Sequence, residues 1–335
     1  MKNMFPFSAI VGQEEMKRGI ILTAIDPTIG GILVFGDRGT GKSTAVRALA
    51  SLLPLIKVVK GCPYNCANLS DACSNCSQIS KKRLVSVPIP VIDLPLGATE
   101  DRVVGALDLE AALVDGRKTF EPGLLAKANK GYLYIDEVNL LEDHIVDLLL
   151  DVAASGENLV EREGLSIRHE AKFVLVGSGN PEEGELRPQL LDRFGLSIEV
   201  SSPKDIDERV EVIKRRDAFE TNPESFLRKW RRHDKKLQRA IVAAKTCIEK
   251  VKMPDSILED CAKLCLALGA DGLRGELTLL RATRALTAFQ GKTLVERDHL
   301  KIVAPSALRH RLRRDPLDEA GSSVRVTRII NEVFS

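Results

Sequence analysis

No stretch of this 335-residue chain is apolar for anything near the length of a bilayer crossing, so the protein is not expected to be integral to a membrane. Neither sign of charge dominates. The 49 basic and 47 acidic residues are interspersed and leave a net charge of +2, which gives no case for nucleic acid or a charged membrane surface as partner. The opening Met1-Lys-Asn-Met-Phe-Pro-Phe7 has no apolar core of signal-peptide length and no transit-peptide character. Histidine is scarce, and the five present form no ligand set; His144 and His310 read as helix-surface or interface groups. Internal repeats and low-complexity tracts are lacking. Seven cysteines without a secretory signal imply a reducing compartment, in which thiols are buried, metal-bound or redox-active rather than a disulfide framework.

What is present begins with Gly36-Asp37-Arg38-Gly39-Thr40-Gly41-Lys42-Ser43, directly behind the apolar run Gly31–Phe35 and ahead of a helical pattern from Thr44 to Ala50. Strand, glycine-rich turn and helix are the context that a G-x-x-x-x-G-K-[ST] phosphate loop requires. Its backbone N–H groups wrap a polyphosphate, and the helix N-terminus adds positive potential. Lys42 is placed to reach the β- and γ-phosphates, and the Ser43 hydroxyl to ligate the Mg²⁺ that accompanies ATP.

Short apolar runs separated by helical stretches predict a parallel sheet covered by helices on both faces, with strands at Ile32–Phe35, Leu84–Val91, Tyr132–Ile135, Lys172–Gly177 and Leu196–Val200. Such α/β sheets bind ligands at the carboxyl ends of their strands. Past residue 220 the strand signals stop. A polar, charged stretch at 222–236, holding the only tryptophan, Trp230, reads as a linker to a small all-helical domain over 237–335. There Leu237, Ile241, Ala244, Ile248 and Val251 keep helical spacing, as do Ile257, Cys261, Leu264, Cys265 and Leu268. Ser256-Ile-Leu-Glu259 reads as a capping box and Gly269 as a helix stop; further helices are expected after Gly275 and over Arg297–Arg313.

Four further elements follow the phosphate loop. The strand Tyr132–Ile135 ends in Asp136 and Glu137, placed for the Mg²⁺ shell and for polarising an attacking water; alone, the pair could merely cap a helix. The next strand delivers Asn180, an amide able to orient that water, or else a turn residue before Pro181. Leu190-Leu-Asp-Arg193-Phe194 puts an arginine at a helix end, either paired with Asp192 or projecting into a neighbour's nucleotide as an arginine finger. Arg274 opens a helix, an unfavourable place for a cation unless it reaches back to phosphates.

In this order the elements resemble an AAA+ ATPase: a P-loop core with a parallel sheet flanked by helices, plus a helical C-terminal lid. Ile10-Val11-Gly12-Gln13 resembles the family's adenine-pocket box, which adds Val11 to the nucleotide contacts. Segments at about 94–125 and 157–170 resemble the helix-2 insert and pre-sensor hairpin of the clade that holds magnesium chelatase, MoxR-type chaperones and replicative helicases, within a core over 1–221. The wording of Leu94-Pro-Leu-Gly97, Glu100–Asp108, Asn139–Asp151, Gly177–Gly184, Arg187–Gly195 and Leu273–Arg281 is similar to the magnesium chelatase subunit I family, across essentially the whole chain.

That resemblance implies the ATPase of a three-part ligase of the bacterial cytoplasm. A homo-oligomeric ring, six-membered by family expectation, would dock on a second AAA+ subunit with an integrin-type domain. Together they would drive a porphyrin-binding subunit to insert Mg²⁺ into protoporphyrin IX on the way to chlorophyll or bacteriochlorophyll. It also implies the roles of Lys42 and Ser43 at phosphate and Mg²⁺, Asp136 and Glu137 as metal shell and base, Asn180 as water-orienting amide, Arg193 as trans-acting finger and Arg274 as lid arginine. Alternatives are a MoxR-like chaperone remodelling a metalloprotein, a DNA-remodelling ATPase, which the balanced charge opposes, and cobalt insertion into a corrin precursor.

Cys62, Cys66, Cys73 and Cys76 form a C-x₃-C…C-x₂-C set outside that scheme. Four thiolates so close suit tetrahedral Zn²⁺, an Fe–S cluster or a redox switch, or are free loop thiols. Cys261 and Cys265 share one apolar helical face and read as core. The run Arg309–Arg314 resembles a nucleic-acid patch in isolation, but in a chain of balanced charge a helix end or subunit interface fits it better.

Overall fold

The computed structural model describes residues 4–37, 39–67, 73, 76, 83–108, 119–162, 165–180, 183, 184, 186–270, 272–312 and 322–334. Arg38, Pro181 and residues 313–320 lie outside them. The strands in chain order are β1 (Ile32–Gly36), β2 (Ile56–Val59), β3 (Leu84–Val87), β4 (Val91–Leu94), β5 (Gly105–Leu107), β6 (Phe120–Pro122), β7 (Tyr132–Ile135), β8 (Glu157–Arg162), β9 (Leu165–Glu170), β10 (Val174–Gly179) and β11 (Leu196–Val200). The helices are α1 (Glu14–Ile25), α2 (Lys42–Leu52), α3 (Glu100–Val104), α4 (Leu124–Ala128), α5 (Asp143–Ser155), α6 (Pro188–Arg193), α7 (Ile206–Thr221), α8 (Pro223–Cys247), α9 (Asp255–Leu268), α10 (Arg274–Phe289), α11 (Arg297–Leu308) and α12 (Ser322–Phe334).

Five strands form one parallel sheet in the order β11-β1-β10-β7-β4. Side chains alternate across it, as the two-residue period of a strand demands. Ile32, Val34, Tyr132, Tyr134, Val176 and Ile198 face a core shared with α1 and α2, while Leu33, Leu133, Ile135 and Leu175 face a second core closed by α4 and α5. The first of these cores runs on without a break into Ile241, Leu264, Leu279 and Val303 of the C-terminal helices. The helical end is thereby packed on the sheet's own hydrophobic face.

Two sequence expectations need correction here. The run 84–91 is two strands: β3 pairs antiparallel with β2, and only β4 joins the main sheet, beside β7. Pro88 and Pro90 between them carry no N–H to donate to a ladder, which ends the pairing. The stretch 222–236, expected as a linker, is the first half of the 25-residue helix α8. Asn222 caps it by accepting from the Ser225 N–H, Pro223 fits the first turn, and Phe226, Ile241 and Ala244 are buried while the charges face water. Trp230 packs on Phe226 and lies under the Arg215 guanidinium, 4.7 Å from the ring centre.

Smaller differences have local causes. The capping box expected at Ser256–Glu259 does not form, because α9 already begins at Asp255 after Pro254. A box does form at Glu296 and His299, where the histidine replaces the usual carboxamide or acid. Residues 105–107 and 120–122 pair antiparallel, and 157–162 with 165–170 form a second antiparallel hairpin.

Candidate active site

The sequence at the end of β1 forces a turn that only glycine can make. A Cβ on Gly36, at φ 152°, would stand 1.7 Å from the Val200 carbonyl oxygen, and Gly39 and Gly41 take φ 78° and 82°. Thr40 Oγ1 donates to the Asp37 carbonyl at 2.9 Å, and the Asp37 carboxylate accepts from the Ser202 N–H, so the loop is pinned to the residues after β11. The loop leads into α2, whose N-terminus has no side-chain cap. Its first-turn N–H groups therefore remain available to an anion. Lys42 Nζ curls over the loop and donates to the carbonyls of Gly36 at 2.6 Å and Gly179 at 3.3 Å.

A cavity of about 340 Å³ opens at the carboxyl edge of β1, β7 and β10. Gly39 to Thr44 form one wall; Tyr134, Asp136, Glu137, Ser178, Gly179 and Asn180 form the other. Lys42, Ser43, Asp136, Glu137 and Asn180, separate in sequence, are thus brought together. Asn180 is buried, and Glu137 adopts φ 56°, a left-handed conformation that costs a non-glycine residue free energy and is often kept at functional sites.

Two side chains of this wall, those of Tyr134 and Ser178, were not among the sequence candidates. Tyr134 Oη lies 3.0 Å from Asp136 Oδ1 and from Ser178 Oγ, and Ser178 Oγ donates to Asp136 Oδ1 at 2.6 Å. This triad fixes the Asp136 carboxylate and leaves its other oxygen for a metal shell. Burial, reinforced by the Asp136 charge, pushes the Tyr134 phenol up, so it stays a neutral hydroxyl. The signal was legible in retrospect: Tyr134 is two residues before Asp136 on one strand face, and Ser178 is two before Asn180 on the adjacent strand.

The remaining candidates among the described residues do not line this cavity. Val11 is half-buried beside Gly12 and Gln13, both in left-handed conformations, with Gln13 Nε2 donating to the Ser201 carbonyl at 3.0 Å. Arg193, at the end of α6, pairs with Asp147 at 3.3 Å and with Asp151, both on α5, and not with its neighbour Asp192. Asp192 instead accepts from Arg274, whose Nη1 stands 3.1 Å from its carboxylate. Arg38 lies outside the described residues.

The basic run at 309 lies at a helix end, one of the two placings expected of it, and its arginines are turned inward. Arg309 is buried against Glu15. The Arg311 guanidinium donates to the carbonyls of Phe194 at 2.7 Å, Gly195 at 3.1 Å and Asp192 at 3.1 Å, and burial lowers its pKa to about 10. His310, read from sequence as a helix-surface or interface group, is half-buried, with Nε2 3.0 Å from the Phe194 carbonyl oxygen. These side chains satisfy backbone carbonyls that the turn between α6 and β11 leaves unpaired.

The four cysteines Cys62, Cys66, Cys73 and Cys76 converge elsewhere, with all four Sγ atoms within 4.8 Å of one another. Cys261 and Cys265 are buried in the core of the helical end. No helix among the described residues is long and apolar enough to cross a membrane.

Comparison with known proteins agrees with this geometry. Residues 108–189 match the family described as magnesium chelatase, subunit ChlI, and residues 258–333 match the AAA lid domain. The magnesium-chelatase 38 kDa subunit of Cereibacter sphaeroides is 68% identical over 100% of both chains. A structure of the complex between subunits BchI and BchD of magnesium chelatase contains a chain 61% identical, covering 97% of this chain and 100% of that one, with a TM-score of 0.57. A putative ATPase from Cytophaga hutchinsonii, 17% identical, covers 97% of this chain and 91% of that one at a TM-score of 0.66, a likeness of fold alone. With an AAA+ α/β sheet, a helical lid and full-length identity of this order, the chain belongs to the magnesium chelatase subunit I (ChlI) family.

Proposed function

We infer that this chain is the ATP-hydrolysing motor subunit of magnesium chelatase, coupling ATP turnover to the insertion of Mg²⁺ into protoporphyrin IX. The observation that carries the reading is the meeting of Lys42, Ser43, Asp136, Glu137 and Asn180 on one cavity at the sheet's carboxyl edge, in a member of this family. Glycines that admit close backbone approach, an uncapped helix N-terminus and a lysine over the loop fit a triphosphate, and the pinned Asp136 beside Ser43 fits its Mg²⁺. That Mg²⁺ neutralises phosphate charge. Lys42 moves from backbone carbonyls to the β- and γ-phosphate oxygens, Glu137 takes the proton of the attacking water, and Asn180 orients that water. Val11 lies against the adenine.

Arg193 acts in trans, leaving Asp147 and Asp151 to meet a neighbour's γ-phosphate in a homo-oligomeric ring of six, and Arg274 reaches the phosphates from the lid. The ring works in the bacterial cytoplasm with the integrin-domain subunit and the porphyrin-binding subunit, which supplies the porphyrin site. Removing water from Mg²⁺ is slow and unfavourable, and ATP turnover offsets that cost. The core over 1–221 and the lid over 237–335 divide nucleotide chemistry from its mechanical output. Outside this machinery, the four-cysteine cluster binds a metal, as Zn²⁺ or an Fe–S centre.

The test is Mg-protoporphyrin formation, followed by fluorescence, with the two partner subunits of a phototroph, ATP, Mg²⁺ and protoporphyrin IX. Product that requires both this chain and hydrolysable ATP supports the reading. ATP turnover without product, using competent partners, points to a metalloprotein-remodelling chaperone instead.

A further inference from the structure

The cysteine cluster has a geometry that separates the metal centres open to it. Cys62 Sγ stands 3.8 Å from Cys73 Sγ, and Cys73 Sγ 3.5 Å from Cys76 Sγ, within a group no wider than 4.8 Å. A disulfide needs its sulfurs at about 2.05 Å. Four thiolates on one Zn²⁺ at about 2.3 Å occupy tetrahedron corners about 3.8 Å apart. Clusters of two or four irons distribute their four cysteines over different irons and spread the sulfurs wider than this group. The donor set contains sulfur only, and Cys62 and Cys76 are buried.

The chain around the thiols is shaped to hold them. Asn65 takes φ 52°, bending Cys62-Pro-Tyr-Asn-Cys66 into a knuckle in which the Tyr64 and Cys66 N–H groups point at Cys62 Sγ; the Cys73 N–H points at Cys66 Sγ. Donors of this kind stabilise metal-bound thiolates and fix their orientation. The knuckle is in turn tied to the turn that starts β7. Asn129 Nδ2 donates to the Tyr64 carbonyl at 2.6 Å, and Lys130 Nζ to the Asn65 carbonyl at 3.0 Å. The Tyr64 ring lies 4.7 Å from that of His169, on β9.

We propose that Cys62, Cys66, Cys73 and Cys76 hold a single structural Zn²⁺ that fastens the segment after β2 to the start of β7 and to the β8–β9 hairpin. The proposal rests on reading the four thiols as a metal site, and it narrows that reading to one mononuclear ion with a mechanical role. The ion sits at the amino end of β7, whose carboxyl end carries Asp136 and Glu137, so it supports the catalytic strand without touching nucleotide.

The full chain, purified under reducing, anaerobic conditions, is expected to carry one zinc per chain by elemental analysis. After chelation it should take up one Co²⁺ with the intense visible bands of a tetrahedral tetrathiolate site, bleached by an equivalent of Zn²⁺. Cys66→Ser combined with Cys73→Ser should abolish the bands, and Cys247→Ser, an exposed cysteine outside the cluster, should retain them. Should the double variant not fold, the Co²⁺ titration of the unaltered chain decides alone. Iron with acid-labile sulfide in place of zinc would overturn the mononuclear proposal and leave a metal site standing. Absence of any bound metal and of Co²⁺ bands would overturn both.

Discussion

Arg274 Nη1 donates to the Asp192 carboxylate at 3.1 Å, which links the first residue of α10 to the residue beside Arg193. The pair is solvent-exposed, and exposed ion pairs contribute about 0–1 kcal/mol. Arg274→Ala should therefore leave the melting temperature within a few degrees of the parent while lowering ATP turnover. Arg311→Ala is the contrast. It strips donors from the carbonyls of Asp192, Phe194 and Gly195 and should cost about 3 kcal/mol, read as a shifted urea midpoint. Equal stability losses in the two variants would contradict this division.

Lys42→Ala removes the ammonium that rests over the phosphate loop. Loss of one positioned charge of this type costs about 10²–10³ in rate. Nucleotide affinity or turnover should fall by that order, with the fold intact by circular dichroism.

Glu137→Gln keeps the shape of the cavity and removes the carboxylate proposed as the base. ATP should still bind, measured by calorimetry or a fluorescent analogue, while hydrolysis falls by about 10²–10⁴. Turnover at the parent rate would remove Glu137 from that role.

Arg193→Ala should be inactive alone, since a finger of this kind contributes about 10³–10⁵ in rate. Mixed with Lys42→Ala it should regain part of its activity, because a Lys42→Ala subunit lends its intact arginine to the neighbour's intact phosphate loop. No recovery at any mixing ratio would exclude action in trans.

Stability should fall on acidification. Burial, with the Arg311 charge adding, holds His310 well below the ordinary histidine range, and burial also lowers His169 and His299. The unfolded chain protonates these rings near about pH 6.5, so their contribution is complete above that pH and is lost below it. The slope approaches about 1.4 kcal/mol per pH unit for each ring that the fold keeps neutral. Urea midpoints at about pH 7.5 and about pH 5.5 test this, and His310→Gln should flatten the difference.

The phosphate loop, both terminal carboxylates and the sheet's inner strands were legible because each depends on local chemistry: glycines where φ is positive, and apolar runs where both faces are covered. The linker at 222–236 was misread because its charges were counted without their period. Placed on a helix, they occupy one side, while Phe226 and Ile241 bury the other. The helix end at Arg309 to Arg311 was legible, but the burial of its two arginines was not. Arg309 meets the Glu15 carboxylate and Arg311 the carbonyls of Phe194 and Gly195, all far off in the chain, and no pattern in a single sequence encodes partners that a distant element supplies. Tyr134 and Ser178 were overlooked because neither titrates near neutral pH nor belongs to a spaced motif, although strand alternation placed both facing the cavity.

The clasp of Arg311 on residues 192–195 makes the helical end and the Arg193 end of α6 a single lever. While those bonds stand, the α9–α12 helices cannot swing away from the sheet without dragging the end of α6, so with Arg193 acting in trans as proposed, opening at one subunit's nucleotide would withdraw that arginine from the next. A ring assembled from such levers would fire its sites in turn, since the stroke that empties one pocket disarms its neighbour.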